Sequence, residues 1–347
     1  MLKMRYLLQT KRPLQMHKIF SFILFLFPIH LVFIKIKNFL YDNNIIDPIK
    51  IDTKIISIGN VSLGGAGKTP FTIALSNFLK EKMGVSVGVV TRGYGRRNSH
   101  HNFLFNNHSW QDCGDEVIVL TNNLSRSIPV YISSNKILGA KELSSLGCDI
   151  VILDDAFQHR KLGRDIDIVL LSPDELVPKN KKTFPWGLLR EPFYNIKRAN
   201  IIIATKMNLY NSKILPPNSF PLNTSFQKEL LSSDDASKIT IKQLSKLKNI
   251  MSLCGIGKPV SFQNSLESLD ISVKKHLTYS DHHSFTEKDI ANILSHIEKL
   301  NIESIVCTEK DWVKLMDFDD EISIPIYAIR LNYCLNKDIE DAVLRLL

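Results

Sequence analysis

The chain has 347 residues and a formal net charge of +9, with 44% hydrophobic and 23% charged residues, which supplies one large core or two modest ones and excludes global disorder. The positive excess is local rather than a nucleic-acid footprint: before Asp42 stand seven basic residues (Lys3, Arg5, Lys11, Arg12, Lys18, Lys35, Lys37) and no acid, and no zinc spacing or RNA-binding signature accompanies them. Cys113, Cys148, Cys254, Cys307 and Cys334 are odd in number, scattered and free of any CxxC, so they read as reduced, mostly buried thiols.

Residues 1–48 form the first segment. The basic residues bracket Ile19 to Ile34, a run that is apolar except for Ser21, Pro28 and His30, and such bracketing suits an anionic membrane surface. As a helix the run is about 24 Å long at ~1.5 Å per residue, short of the roughly 30 Å hydrocarbon core, and Pro28 bends it. An interfacial or partly inserted anchor is the leading reading. A span helped by snorkelling Lys35 and Lys37 and a buried core helix are the alternatives. No small-residue cleavage site follows, which argues against a removed signal peptide.

Residues 49–206 read as a nucleotide-binding domain. Ile55 to Lys82, IISIGNVSLGGAGKTPFTIALSNFLKEK, runs as a short apolar strand, a glycine-rich turn and an amphipathic helix opened by GKT. Small residues at Gly64, Gly65, Ala66 and Gly67 let backbone N–H groups converge on an anion, and the helix adds the partial positive charge of its N-terminus. In such loops the lysine, here Lys68, reaches the outer phosphates and the next hydroxyl, Thr69, ligates Mg²⁺. Pro70 fits a first helical turn that needs no N–H. The strict pattern has glycine where this chain has Ser62, so the loop is a variant.

Strand candidates at Ile55 to Ile58, Val87 to Thr91, Val130 to Ser133, Ile150 to Leu153, Ile166 to Leu171 and Ile201 to Ala204 alternate with helical stretches. This pattern predicts a doubly wound, mainly parallel sheet covered on both faces. Residues 207–248 turn to Asn, Ser, Pro and Lys and read as a connector, with a hairpin expected around Phe226 to Leu231. Residues 249–347 read as a smaller α/β domain: a strand at Ile250 to Cys254, a helix near Thr286 to Leu300, strands at Ser304 to Cys307 and Ile324 to Ile329, and a closing helix. The strand Ile150 to Leu153 ends in Asp154 and Asp155, where a phosphate-loop fold holds Mg²⁺ or its waters. Which of the two touches metal is open.

GNVSLGGAGKTP, RGYGRR, GDE, DDAFQHRKLGRDIDIVLLS, LLREP, a DHH-F element and TEKD follow one another in this order. The ordered set, from Ile55 to Asp311, resembles the tetraacyldisaccharide 4'-kinase family of lipid A synthesis. Two departures stand out: Ala156 occupies a position where the family usually has glycine, and WGLLREP varies a lead-in richer in proline and glycine. The resemblance implies transfer of the ATP γ-phosphoryl to the 4'-hydroxyl of a tetraacyldisaccharide 1-phosphate, yielding lipid IVA. It implies ATP and Mg²⁺ as cofactors and the cytoplasmic face of the bacterial inner membrane as the location. No obligate protein partner is evident.

By the same resemblance Asp115, in CGDE, matches the aspartate proposed to take the acceptor's proton, and His282, in SDHHSF, the histidine proposed to pair with it. From the residues alone Asp115 is equally an N-cap of a helix Val117 to Leu124, His282 a loop histidine, and His283 its competitor. Because Asp115 and His282 fall in different domains, their pairing implies that the domains close around the acceptor.

Arg92, Arg96 and Arg97 form an exposed-looking basic turn, and Arg160, Lys161 and Arg164 follow the aspartates. Either cluster suits the acceptor's 1-phosphate or lipid headgroups, or is a solvated surface. Gln158, His159, Arg190 and Glu191 join the candidates through the motifs that hold them. Asn208, in ATKMN, stands where a guanine-reading element has aspartate, which weighs against guanine. TEKD after a strand serves either the nucleotide pocket or a helix cap. The competing functional class is a membrane-associated P-loop ATPase switch without a small-molecule acceptor.

Overall fold

A computed structural model describes residues 30–177, 181–184, 186–210, 215–234 and 238–347. Most of the apolar run Ile19 to Ile34 therefore lies outside the described residues. The chain is described from a helix, α1, over residues 30–42. The remaining elements of the first unit are β1 (Lys54–Gly59), α2 (Lys68–Met83), β2 (Val87–Thr91), β3 (Phe103–Leu104), α3 (Trp110–Cys113), α4 (Asp115–Asn123), β4 (Val130–Ile132), α5 (Lys136–Ser145), β5 (Ile150–Leu153), β6 (Ile166–Leu171), α6 (Pro173–Leu176), β7 (Ile201–Thr205) and β8 (Ser219–Leu222).

Their strands form one eight-stranded sheet in the order β3-β4-β2-β5-β1-β6-β7-β8, parallel except for β3. Short Val/Ile/Leu runs produce it because both faces are covered: Phe71, Leu75 and Leu79 of α2 pack with Ile56, Ile58 and Ile168 on one face. Val90, Val151 and Leu153 meet Ala140 and Leu143 of α5 on the other. Phe71 is fully buried, a position where truncation to alanine costs about 3–5 kcal/mol. β1 sits centrally between β5 and β6, so the loop that leaves it opens in the crevice beyond the strands' carboxyl ends.

Helix α1 lies on this unit through Ile34 and Asn38, both buried. The Arg160 guanidinium donates to the Asn38 carbonyl at 3.3 Å and pairs with Asp42 at 2.7 Å, and Lys37 donates to the Gln158 carbonyl at 3.2 Å. Val32, Phe33, Ile36 and Phe39 are exposed and recur at helical spacing away from that contact. Among the described residues no helix is long and apolar enough to cross a membrane.

The rest of the chain gives β9 (Ser225–Phe226), β10 (Leu231–Ser232), α7 (Ile241–Leu244), β11 (Ile250–Cys254), α8 (Pro259–Ser268), β12 (Val273–Thr278), α9 (Glu287–Leu300), β13 (Ser304–Thr308), α10 (Glu309–Leu315), β14 (Ile326–Ile329), β15 (Leu331–Asn332) and α11 (Lys337–Leu344). A second sheet runs β10-β14-β13-β11-β12, parallel except for β10.

Three sequence expectations change here. The hairpin around Phe226 to Leu231 does not form: β9 pairs with β15 and β10 with β14, because partners from the chain's far end bury these strands better than a two-stranded ribbon would. The stretch 207–248 is more than a connector, since β8 extends the first sheet. The segment after β14 leaves the second unit, with Tyr333, Ile339 and Val343 buried in the core that contains α2.

Candidate active site

The glycine-rich turn is left-handed at Gly64, Gly65 and Gly67, with φ of 80°, 61° and 83°, which turns its amides inward at the head of α2. Other elements hold it from behind. Thr205 Oγ1 donates to the Ala66 carbonyl at 2.9 Å, and Lys206 Nζ donates to the Gly65 carbonyl at 2.8 Å and to Ser261 Oγ at 2.9 Å. The Tyr333 hydroxyl occupies the space a Cβ on Gly67 would need. Ser62 is explained by burial: its hydroxyl bonds Glu175, which also accepts from the Ser172 N–H in the capping box of α6. Lys68 points into the cleft, 3.0 Å from Asn60 Oδ1 and 3.5 Å from Asp155 Oδ1.

The paired aspartates have opposite surroundings. Burial would raise the Asp155 carboxyl, but Lys68 and Arg190 outweigh it and hold it well below the usual range; Arg190 Nη1 reaches both its oxygens at 2.9 Å. Asp154 is buried with only the hydroxyls of Thr72 and Thr91 donating, each at 3.4 Å. Burial, followed by the Glu116 charge, pushes it up to about 6. Beneath it the Lys136 ammonium, fully buried and lowered to about 8 chiefly by burial, donates to the Asp154 carbonyl. A hard divalent cation suits Asp154, whose oxygens lack a directly bonded cationic side chain, and Thr69 at the start of α2. Asp155 is already claimed by Arg190 and Lys68.

Asp115 and His282 meet at the edge of the cleft, with His282 on its wall and Asp115 buried behind it. His282 Nδ1 lies 3.1 and 3.2 Å from the two Asp115 oxygens. Asp115 is the first residue of α4, not its cap, which is Gly114. Gly114 is required there, with φ of 98° and a hypothetical Cβ only 2.5 Å from the Tyr94 carbonyl. Burial would raise the Asp115 carboxyl; the His282 hydrogen bond and the charges of Lys310, His282 and Lys314 overcome it and hold it far down. An ionised carboxylate only accepts, so the hydrogen sits on Nδ1 and the Nε2 lone pair is left on the cleft side. Burial lowers the His282 pKa, yet Asp115 raises it more, leaving it above 6.5. Tyr94 packs on the imidazole at 4.7 Å between centroids. His283 instead bonds Asp289 at 3.0 Å.

The left-handed backbone region holds Asp155, Lys206 and His282 among the described residues, and the last two are its only members there that are neither Asn, Asp nor Gly. Such conformations cost about 1–3 kcal/mol each and cluster where function over-determines geometry. All three line a cleft of about 670 Å³ together with Gly64 to Pro70, Arg92, Asp154, Arg190 and Lys310.

TEKD caps its helix and also lines the cleft. Thr308 caps α10 by accepting from the Asp311 N–H and donates to Asp311 Oδ2 at 2.6 Å. Lys310 lines the cleft and pairs with Glu116. One helical turn on, Lys314 is buried 3.1 Å from Asp115 Oδ2. Glu116, Lys314, Lys136 and Tyr333 were not singled out by sequence; the i, i+4 spacing of Lys310 and Lys314 on one face of α10 is the signal that would have found one of them.

A family model described as tetraacyldisaccharide-1-P 4'-kinase matches residues 21–347. The chain belongs to this family. The tetraacyldisaccharide 4'-kinase of Syntrophus aciditrophicus is 32% identical over 90% of this chain and 89% of its own length. That of Francisella tularensis subsp. novicida is 32% identical over 84% and 89%. LpxK from Aquifex aeolicus, solved in complex with ATP, aligns with a TM-score of 0.72 at 27% identity, covering 94% of this chain and 98% of that one. As a member of the 4'-kinase family this chain is an ATP-dependent phosphotransferase, not the acceptor-free switch.

Several family-motif residues have structural partners away from the cleft. Gln158 donates to the Asn60 carbonyl and to Glu191 Oε1, both at 2.8 Å. His159, lowered to about 4 chiefly by burial and then by Lys136, is half-buried; neither residue is on the cleft wall. Arg96 is buried and donates to the Ser99 carbonyl at 2.8 Å, so the basic turn exposes Arg92 and Arg97 only. Arg160 is spent on α1, and Arg164 pairs with Asp167 at 3.1 Å, while Lys161 is exposed. Glu191 is buried with Arg198 at 2.9 Å, while its neighbour Arg190 turns to Asp155. Asn208 braces Thr224 through two 2.9 Å bonds, an internal role in place of base reading.

Proposed function

We propose that this 4'-kinase moves the ATP γ-phosphoryl to the 4'-hydroxyl of a tetraacyldisaccharide 1-phosphate, giving lipid IVA, in the cleft between its two units. The reading of the site rests on one observation: His282 lines that cleft with the phosphate loop, and the buried Asp115 carboxylate lies 3.1 Å behind its imidazole. Gly64, Gly65, Ala66, Gly67 and Lys68 bind the phosphates, with Thr69 and Pro70 opening the helix behind them. Mg²⁺, when bound, offsets phosphate charge, and Thr69 and Asp154 are the residues fit to hold it, with Asp155 keeping Lys68 and Arg190 in place. His282 Nε2 accepts the 4'-hydroxyl proton as that oxygen attacks phosphorus. Asp115, its oxygens already engaged by His282, Lys314 and the Glu116 N–H, orients the imidazole and stabilises the cation that forms. Arg92, exposed at the cleft mouth, is placed to meet the acceptor's phosphate.

The exposed apolar stripe of α1 and the basic residues before it support seating at an anionic membrane surface, on the cytoplasmic face of the inner membrane where ATP is available. The deciding assay supplies ATP, Mg²⁺ and disaccharide 1-phosphate in detergent micelles. Acceptor-dependent ADP release is expected, and equal release without acceptor would sink the reading. For the membrane, Phe33→Asp with Phe39→Asp should weaken flotation with anionic vesicles; unchanged flotation would count against α1 as the contact.

A further inference from the structure

Five lysines or arginines on the cleft wall have assigned duties in holding the site together or gripping phosphate. Lys68 and Arg190 meet Asp155, Lys206 is buried against the loop's Gly65 carbonyl, Arg92 stands at the mouth, and Lys258 is pinned by Asp174, Glu175 and Ser172. Lys310 differs. It comes from the second unit, its side chain retains about a quarter of its exposure, and it pairs with one carboxylate, Glu116, similarly exposed.

Glu116 is the residue after Asp115, and its Oε1 is 4.0 Å from His282 Nε2. The Lys310 ammonium therefore stands beside the atom that receives the acceptor's proton, in the cleft that takes the phosphates. Its charge acts on Asp115, Glu116 and His282 together. A triphosphate brings several negative charges into a partly desolvated cleft, where one carboxylate is a weaker competitor for an ammonium than clustered phosphate oxygens.

We propose that Lys310 is a catalytic residue: an ammonium that the second unit delivers to the transferring phosphoryl group, parked on Glu116 until nucleotide arrives. It rests on the kinase reading and adds to it a cation supplied from the opposite wall, facing Lys68. In the exchange Glu116 loses its partner and Lys310 takes up the charge that spreads over the equatorial phosphate oxygens in the transition state. No covalent step is added. Lys310 also opposes protonation of His282, whose charged and polar neighbours are Asp115, Glu116, Asp281 at 3.8 Å, Lys310 and the Tyr94 ring, so it keeps the base available.

The test compares the parent enzyme with Lys310→Met, Lys310→Arg and Glu116→Gln in the micelle assay, with ATP binding measured separately by calorimetry without acceptor. Lys310→Met should lower kcat about 10²-fold or more while the ATP dissociation constant moves less than about fivefold, the pattern of a contact made in the transition state. Lys310→Arg should recover at least about tenfold of that loss by keeping the charge. The acid limb of the Lys310→Met pH profile should move to higher pH, because a positive neighbour of His282 is gone. Glu116→Gln should lower KM for ATP by removing the competitor. If Lys310→Met is insoluble, Lys310→Gln, which keeps a donor for Glu116, carries the same comparison. Lys310→Met turning over within threefold of the parent would overturn the proposal. So would a loss explained by weakened ATP binding with an unmoved pH profile, which would make Lys310 a latch. A parent without acceptor-dependent turnover would instead refute the underlying kinase reading.

Discussion

The two ends of the cleft are built in different ways. The phosphate end is backbone: three left-handed glycines and a helix N-terminus, in a stretch of the first unit from β1 to α2. The proton-transfer end is side chain: Asp115 and Glu116 from one unit, His282, Lys310 and Lys314 from the other, with Asp115 and His282 separated by 167 positions in the chain. A backbone cradle tolerates many sequences around it, whereas the side-chain end exists only if two cores are seated correctly against each other. Phosphate binding and turnover should therefore be separable by mutation.

The strongest break falls on the phosphate end. On the proposed reading Lys68→Ala removes a full charge from the transferring group, and kcat is expected to drop by about 10⁴-fold, read in the micelle assay. At the other end, His282→Ala should reduce kcat by about 10² to 10⁴-fold while calorimetric ATP affinity stays near the parent's; a parallel loss of affinity would erase the distinction between the ends.

The pH dependence sharpens the same point. In the proposed mechanism neutral His282 is the active form, so kcat should rise as pH climbs through a value above 6.5. The stabilisation from its raised pKa has the reverse sign: full below 6.5 and lost as pH rises through the raised value. Asp115, depressed in the fold, contributes stability above 3.8 that is lost as pH falls through its lowered value. In Asp115→Asn, thermal melts across neutral pH should lose the His282 slope.

Smaller effects probe the supports. Thr205→Val deletes the bond to the Ala66 carbonyl, and KM for ATP should rise by about 3- to 10-fold, the range of one buried neutral hydrogen bond. Asp42→Asn loosens α1 at an exposed pair, and stability should change by about 1 kcal/mol or less in denaturant melts.

This contrast also governs what could be read from the sequence. The strands β1, β2, β4, β5, β6 and β7 were visible because each is a short apolar run buried on both faces, and GKT announces its own geometry. β3, β8 and β12 escaped because they are short or polar: β8 carries Pro221, and β12 is exposed at alternate positions. Asp115 and His282 were found through motif resemblance, since an aspartate before a helix and a histidine in a loop carry no local sign of meeting. The partners of Arg160, Arg96 and Gln158 were illegible for the same reason: whether a guanidinium or amide faces solvent, α1 or Glu191 is decided by packing between distant segments. Ser62 looked like a defect in the loop until Glu175, which lies 113 positions downstream, gave it a partner.

Tyr333 backs Gly67 from a segment translated long after the loop it supports. All eight strands of the first sheet precede this brace in the chain. The support behind the loop is thus in place only after residue 333 has emerged, so the stretch from β1 to α2 is synthesised long before its backing.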